Sequence, residues 1–134
     1  MNATATPRTE DRDFQVWQFL VGHGQLLIRS PISLESASQP ARRTNVDLLF
    51  AGVRYMAVPR FLRGLVIEAA TPDEVAALAI IVGTIDAPMC VTMLGSGGHR
   101  FPVVALRPLV TENDCELLES PLWPQMIHRA PADS

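Results

Sequence analysis

The chain has 134 residues, is 48% hydrophobic and 19% charged, and carries a net charge of −3. That length suits one domain, with enough apolar content to fill a core. All eleven basic residues are arginine, which excludes lysine-dependent Schiff-base and P-loop chemistry, and the slightly acidic balance gives no long-range attraction to nucleic acid or an anionic membrane.

Residues 1–13 are polar, have no apolar stretch of the kind a signal peptide requires, and read as a disordered tail. Order is expected from Phe14. FQVWQFLV (14–21) and QLLIRS (25–30) flank Gly22-His23-Gly24. The pattern predicts a tight hairpin, with one long bulged strand as the alternative. PISLESASQPARRT (31–44) has two prolines and no period, and reads as a long surface loop. VDLLFAGVRYM (46–56) is apolar on both faces at its centre, which predicts an inner strand covered on both sides. Pro59 breaks it, and LRGLVIEAA (62–70) predicts a fourth strand.

Thr71-Pro72-Asp73-Glu74 has the chemistry of a helix start: a capping threonine, a proline in the first turn and an acid three residues after the cap. Val75, Leu78, Ala79 and Val82 share one stripe, Ile80 and Ile81 widen it, and Gly83 ends it. The helix is therefore expected to lie well buried against a sheet. MCVTML (89–94) and RFPVVALR (100–107) predict a third hairpin with a long glycine-rich turn, Pro102 marking an edge or a bulge. TENDCELLES (111–120) reads as a helical turn or ragged strand, and residues 125–134 as a flexible tail. The order ββ-ββ-α-ββ lacks the alternation of a parallel sheet. The expected fold is one α+β domain over residues 14–124, a bent antiparallel sheet of about six strands with one helix packed on it.

Candidate chemistry is thin. His23 and His99 fall in turns without HxxxH or CxxC spacing, so no metal is assigned. Gly95-Ser96-Gly97 lacks the GxSxG elbow, and the turn leads into a strand rather than a helix. Cys90 reads as a small core residue, and Cys115, between Asp114 and Glu116, as a poor nucleophile. No catalytic residue and no cofactor is assigned, and the two cysteines are expected to stay reduced. A pocket between sheet and helix would be lined by His23, Tyr55, His99 and Arg100. Trp17 and Trp123 are the candidate partner anchors. Trp17 alternates with Phe19 and Val21, which favours the core, whereas Trp123 either folds back or docks on a neighbour. Two ion pairs are expected, Arg29 with Asp47 at the base of the long loop and Arg54 with Glu68.

The arginines form no linear stripe of the kind nucleic-acid binding requires, and no apolar run approaches the ~20 residues of a membrane span. The reading is a cytoplasmic protein from a GC-rich bacterial genome. The function it favours is a non-catalytic protein-interaction module, self-associating or binding a partner, of the immunity or assembly kind. The alternative is a small-molecule binder or enzyme with a pocket between sheet and helix.

Overall fold

A computed structural model of the chain describes residues 7–34, 36–37 and 40–114. Their strands are β1 (Asp13–Leu20), β2 (Gln25–Ser30), β3 (Asn45–Phe50), β4 (Tyr55–Met56), β5 (Phe61–Arg63), β6 (Val66–Ala69), β7 (Cys90–Ser96), β8 (His99–Ala105) and β9 (Leu109–Asn113). The helix α1 spans Pro72–Val82. Every strand pairing is antiparallel, in two sheets of order β5-β1-β2-β3-β9 and β4-β8-β7-β6. The α+β class holds, but the single sheet of about six strands is replaced by two sheets packed face to face.

Glycine is the reason. Two segments that read as continuous strands are each cut by a residue in the left-handed region. Gly52 (φ 64°) separates β3 from β4, and Gly64 (φ 65°) separates β5 from β6. A Cβ at Gly64 would stand 2.6 Å from the Glu10 carbonyl oxygen, so no other residue fits there without a shift of the backbone. Each break redirects the chain from one sheet to the other.

The hairpins resolve in detail. Between β1 and β2, Val21–His23 form one 3-10 turn and Gly24 takes the left-handed conformation. β1 carries a bulge between Val16 and Gln18, which breaks the alternation through Trp17. Between β7 and β8 the ladder runs on to Ser96 and His99, leaving only Gly97-Gly98 in the turn. Both have positive φ, as a two-residue type I′ connection requires, so the turn is shorter than expected. Pro102 lies where β8 runs past the end of the two-residue strand β4, so its missing N–H costs little.

The main core lies between the sheets. Phe14, Leu26, Ile28, Val46, Leu48, Phe50 and Leu62 from the five-stranded sheet meet Leu94, Val103 and Ala105 from the other. A smaller cluster of Leu78, Val91, Met93 and Val104 lies beneath α1, on the opposite face of the four-stranded sheet. The layers are therefore helix, sheet, sheet.

The helix begins as its sequence predicts. The Thr71 side chain accepts from the Glu74 N–H, and the Glu74 side chain accepts from the Thr71 N–H. Its burial is another matter. Leu78 is the helix's buried residue, and Val75, Ala79 and Val82 are half-buried. Ile80 and Ile81 point outward, so they extend the apolar surface around the helix rather than into the sheet.

The chain is tied down earlier than Phe14. Thr9 and Arg12 are both buried, and Leu65 N–H donates to the Thr9 carbonyl at 3.0 Å. The expected tail of residues 1–13 is therefore corrected over its second half. Cys115, Trp123 and the tail 125–134 lie outside the described residues.

Candidate functional site

Most of the polar side chains on the strands hold the fold together. In register, Arg29 on β2 stands opposite Asp47 on β3. The guanidinium Nε donates to Asp47 Oδ1 at 2.7 Å and Nη2 to Oδ2 at 2.9 Å, a bidentate pair with both side chains fully buried. Asn113 Nδ2 also donates to Asp47 Oδ2, at 2.6 Å. The Trp17 ring, displaced by the bulge, lies 5.4 Å from the guanidinium carbon. Trp17 is half-buried and stacks on this cation, so its aromatic face supports the pair rather than the sandwich core.

Arg12 performs the clamp role that position alone suggested for Arg29. Its Nε donates to Ser30 Oγ at 2.9 Å, and Nη2 donates to the carbonyls of Ser30 (3.2 Å) and Thr44 (2.7 Å). One guanidinium thus holds both ends of the 31–44 loop. Burial lowers its pKa, with Arg42 adding to the effect. Across the loop, Ser33 and Arg42 pair as an isolated bridge. Nothing in the polar run before Phe14 signals this role.

The expected pair of Arg54 with Glu68 does not form, because β4 and β6 lie on opposite edges of the four-stranded sheet. Arg54 instead donates to the carbonyls of Val82 (2.6 Å) and Thr84 (3.2 Å), closing the C-terminal end of α1. Glu68 pairs with Arg100, which also reaches Glu74 at 2.8 and 2.9 Å. That arrangement holds the Glu74 carboxyl down at about 2, chiefly through the Arg100 hydrogen bonds and then the Thr71 N–H. The same bonds raise the Arg100 guanidinium.

The four residues proposed for a shared pocket are dispersed. His23 is exposed in the β1–β2 turn, beside Gly24, whose carbonyl accepts from Val53 N–H. Arg54 N–H then bonds to Val104, so His23 sits at the Val104 end of β8, whereas His99 begins that strand. Five residues of strand put about 17 Å between those ends. Tyr55 packs against the cluster beneath α1. His99 and Arg100 do share an open hollow of about 390 Å³ with Gly64, Glu68 and Ser96. Other hollows of about 370 and 480 Å³ lie by the 31–44 loop and by Met56, and none of the three is lined by a residue of α1. Among the described residues no three of His, Cys, Asp and Glu gather within reach of one metal ion, and no helix is long and apolar enough to cross a membrane.

What stands out instead is a surface. On α1, Ala76, Ala77, Ile80 and Ile81 are all exposed, Ile80 at 88% and Ile81 at 62%. Spaced i, i+1, i+4 and i+5, they form one apolar stripe on the side away from Leu78, with the exposed acid Asp73 at its N-terminal end. The sequence showed these apolar residues but not their direction, since a run apolar on most sides does not say which side faces the sheet. Comparison with models of protein families, with curated proteins and with solved structures returned no match.

Proposed function

We propose that this domain is a non-catalytic protein-interaction module that docks through the outward stripe of α1. The exposure of Ile80 and Ile81 carries the reading: burying each would contribute about 1.5–3 kcal/mol. The one charge on this face, Asp73, lies at its N-terminal end, so a second copy can lay Ile80 and Ile81 against the same residues about a two-fold axis with the two acids at opposite ends. An α-helix of 11 residues is about 16 Å long. Alone it covers less than the roughly 800 Å² per partner of a standard interface, so self-association is weak and concentration-dependent. A GC-rich bacterial source and a cytoplasmic setting belong to the same proposal. The arginine-only composition supports the first, and the free thiol of Cys90 fits the second.

Sedimentation equilibrium across a wide concentration range tests it. Reversible dimerisation is expected, weakened at least tenfold by Ile80→Glu with the circular dichroism spectrum unchanged. A chain that stays monomeric at every concentration, yet is stabilised by one member of a metabolite set, would favour a small-molecule binder instead.

A further inference from the structure

The strand β1 is paired along only part of one side. Its partner β5 pairs with Asp13, Phe14 and Gln15, and one further bond runs from the Val16 N–H to the Arg60 carbonyl at 2.9 Å. Pro59 has no N–H and cannot carry that ladder further along β1. On the other side β2 pairs as far as Leu20. Among the described residues, then, positions 17–20 have a strand on one side only. Hydrogen-bonding direction alternates along a strand. Gln15, Gln18 and Leu20 turn towards β2, opposite Arg29, Leu27 and Gln25, so the Phe19 N–H and carbonyl face the open edge. Beside this edge the sandwich is incompletely closed. Val16, Phe19, Met56 and Val58 pack against the main core but stay only partly buried. Val16, Met56, Ala57, Val58 and Arg60 line a hollow of about 480 Å³. Arg60 is exposed and makes no ion pair among the described residues, its guanidinium carbon resting 5.1 Å from the centre of the Phe61 ring.

We propose that this edge binds the C-terminal end of another protein, extended as an added strand, with an apolar last residue in the hollow and its free carboxylate on Arg60. Backbone bonds to Phe19 supply the attachment, as strand addition to an open sheet edge does generally. Polarity decides which end of the peptide arrives. Every pairing in the molecule is antiparallel, and that arrangement is the more stable per residue. A strand laid antiparallel to β1 beside positions 17–20 runs in the direction of β5 and stops at Arg60, because the chain itself fills the edge from there on. The end that reaches Arg60 is therefore a C-terminus. Its carboxylate meets a guanidinium that carries no other acid among the described residues, and the pair can be bidentate. A parallel strand would bring an N-terminal ammonium to the same arginine and be repelled. An internal segment would have to continue into the space that β5 occupies. Arg60 is the hollow's one charged residue, so the last side chain is apolar. Four strand residues cover about 13 Å, so the bound segment is short and its affinity modest. The inference is independent of the α1 stripe, which lies beyond the other sheet.

Fluorescence polarisation of the full chain with labelled peptides tests it. The probe alternates valine and threonine, carries the label at its N-terminus and ends in valine. It is made as the free acid, as the C-terminal amide, and as the acid with an N-methylated backbone. The free acid should saturate the chain below about 1 mM and protect the Phe19 N–H from hydrogen exchange. The amide should bind about tenfold more weakly, and Arg60→Gln should abolish the difference between acid and amide. Arg60 is exposed, and an unchanged circular dichroism spectrum would show that this variant folds. Equal binding of acid and amide to the native chain would mean that an internal strand docks. Binding that survives N-methylation would mean that the hollow takes an amphipathic acid rather than a strand. Either result overturns the inference, as does an acid that never saturates or protection confined to residues other than 16–20.

Discussion

Replacing Asp47 with asparagine isolates the electrostatics of the buried pair, because the side chain keeps its size and opens no cavity. In the native chain two short bonds join it to Arg29 and a third comes from Asn113. With both partners fully buried, solvent screens none of this. A pair at about 4 Å attracts by about 4 kcal/mol at an effective dielectric constant of 20, and desolvation offsets much of that. The net worth of the pair is therefore modest, but removing one member is not. An asparagine brings one acceptor oxygen and sets its N–H groups against the donors of Arg29. The guanidinium is left charged and dry. Asp47→Asn should cost about 3–5 kcal/mol, a large share of a total stability of roughly 5–15 kcal/mol. Urea denaturation followed by circular dichroism, with the slope unchanged, would measure it. The double variant Arg29→Met, Asp47→Leu should return close to the native stability, since it removes both charges. A loss below about 1 kcal/mol for the single variant, or an equal loss for both, would refute the reasoning.

Glu74 should titrate near pH 2 by NMR, against a usual 4.5, and Arg100→Ala should raise that value. Because the folded carboxyl is the stronger acid, its stabilisation is full above about pH 4.5 and fades as pH falls towards 2. Gly64→Ala should destabilise more than Gly97→Ala: both need positive φ, but only at Gly64 would a Cβ meet backbone, while Gly97 faces open space. The second should cost about 1–2 kcal/mol in thermal or chemical denaturation, and equal losses would rule out the contact with Glu10. At the ends of α1, Thr71→Ala should cost about 1 kcal/mol and Arg54→Ala about 0.5–1 kcal/mol. The two should add in the double variant, because the sites share no partner.

What could be read from the sequence was the chemistry of neighbours. The helix start at Thr71 is written in four adjacent residues, and the structure has that cap bond for bond. The approach of Arg29 to Asp47 follows from two strands flanking one loop. The division into two sheets was not legible, because it depends on which glycines take positive φ. Gly22 and Gly64 look alike in the sequence, yet only Gly64 does so, and the carbonyl that leaves no room for a Cβ there belongs to Glu10, far away in the chain. Arg12 and Arg54 were hidden for a similar reason. Their acceptors are backbone carbonyls, which every residue carries, so no side-chain pattern points to them. Of the candidate surface, the residues of α1 were visible but their orientation was not.

The chain passes between the two sheets four times: from β3 to β4, β4 to β5, β5 to β6 and β8 to β9. No single cut therefore divides the chain into one fragment for each sheet. The last described strand closes against β3, whose other neighbour was made near the start of the chain. Such a topology ripens late during synthesis and folds through distant pairings, on a timescale of milliseconds to seconds rather than microseconds. It should also unfold all at once, since neither sheet has a boundary along which it can part from the other.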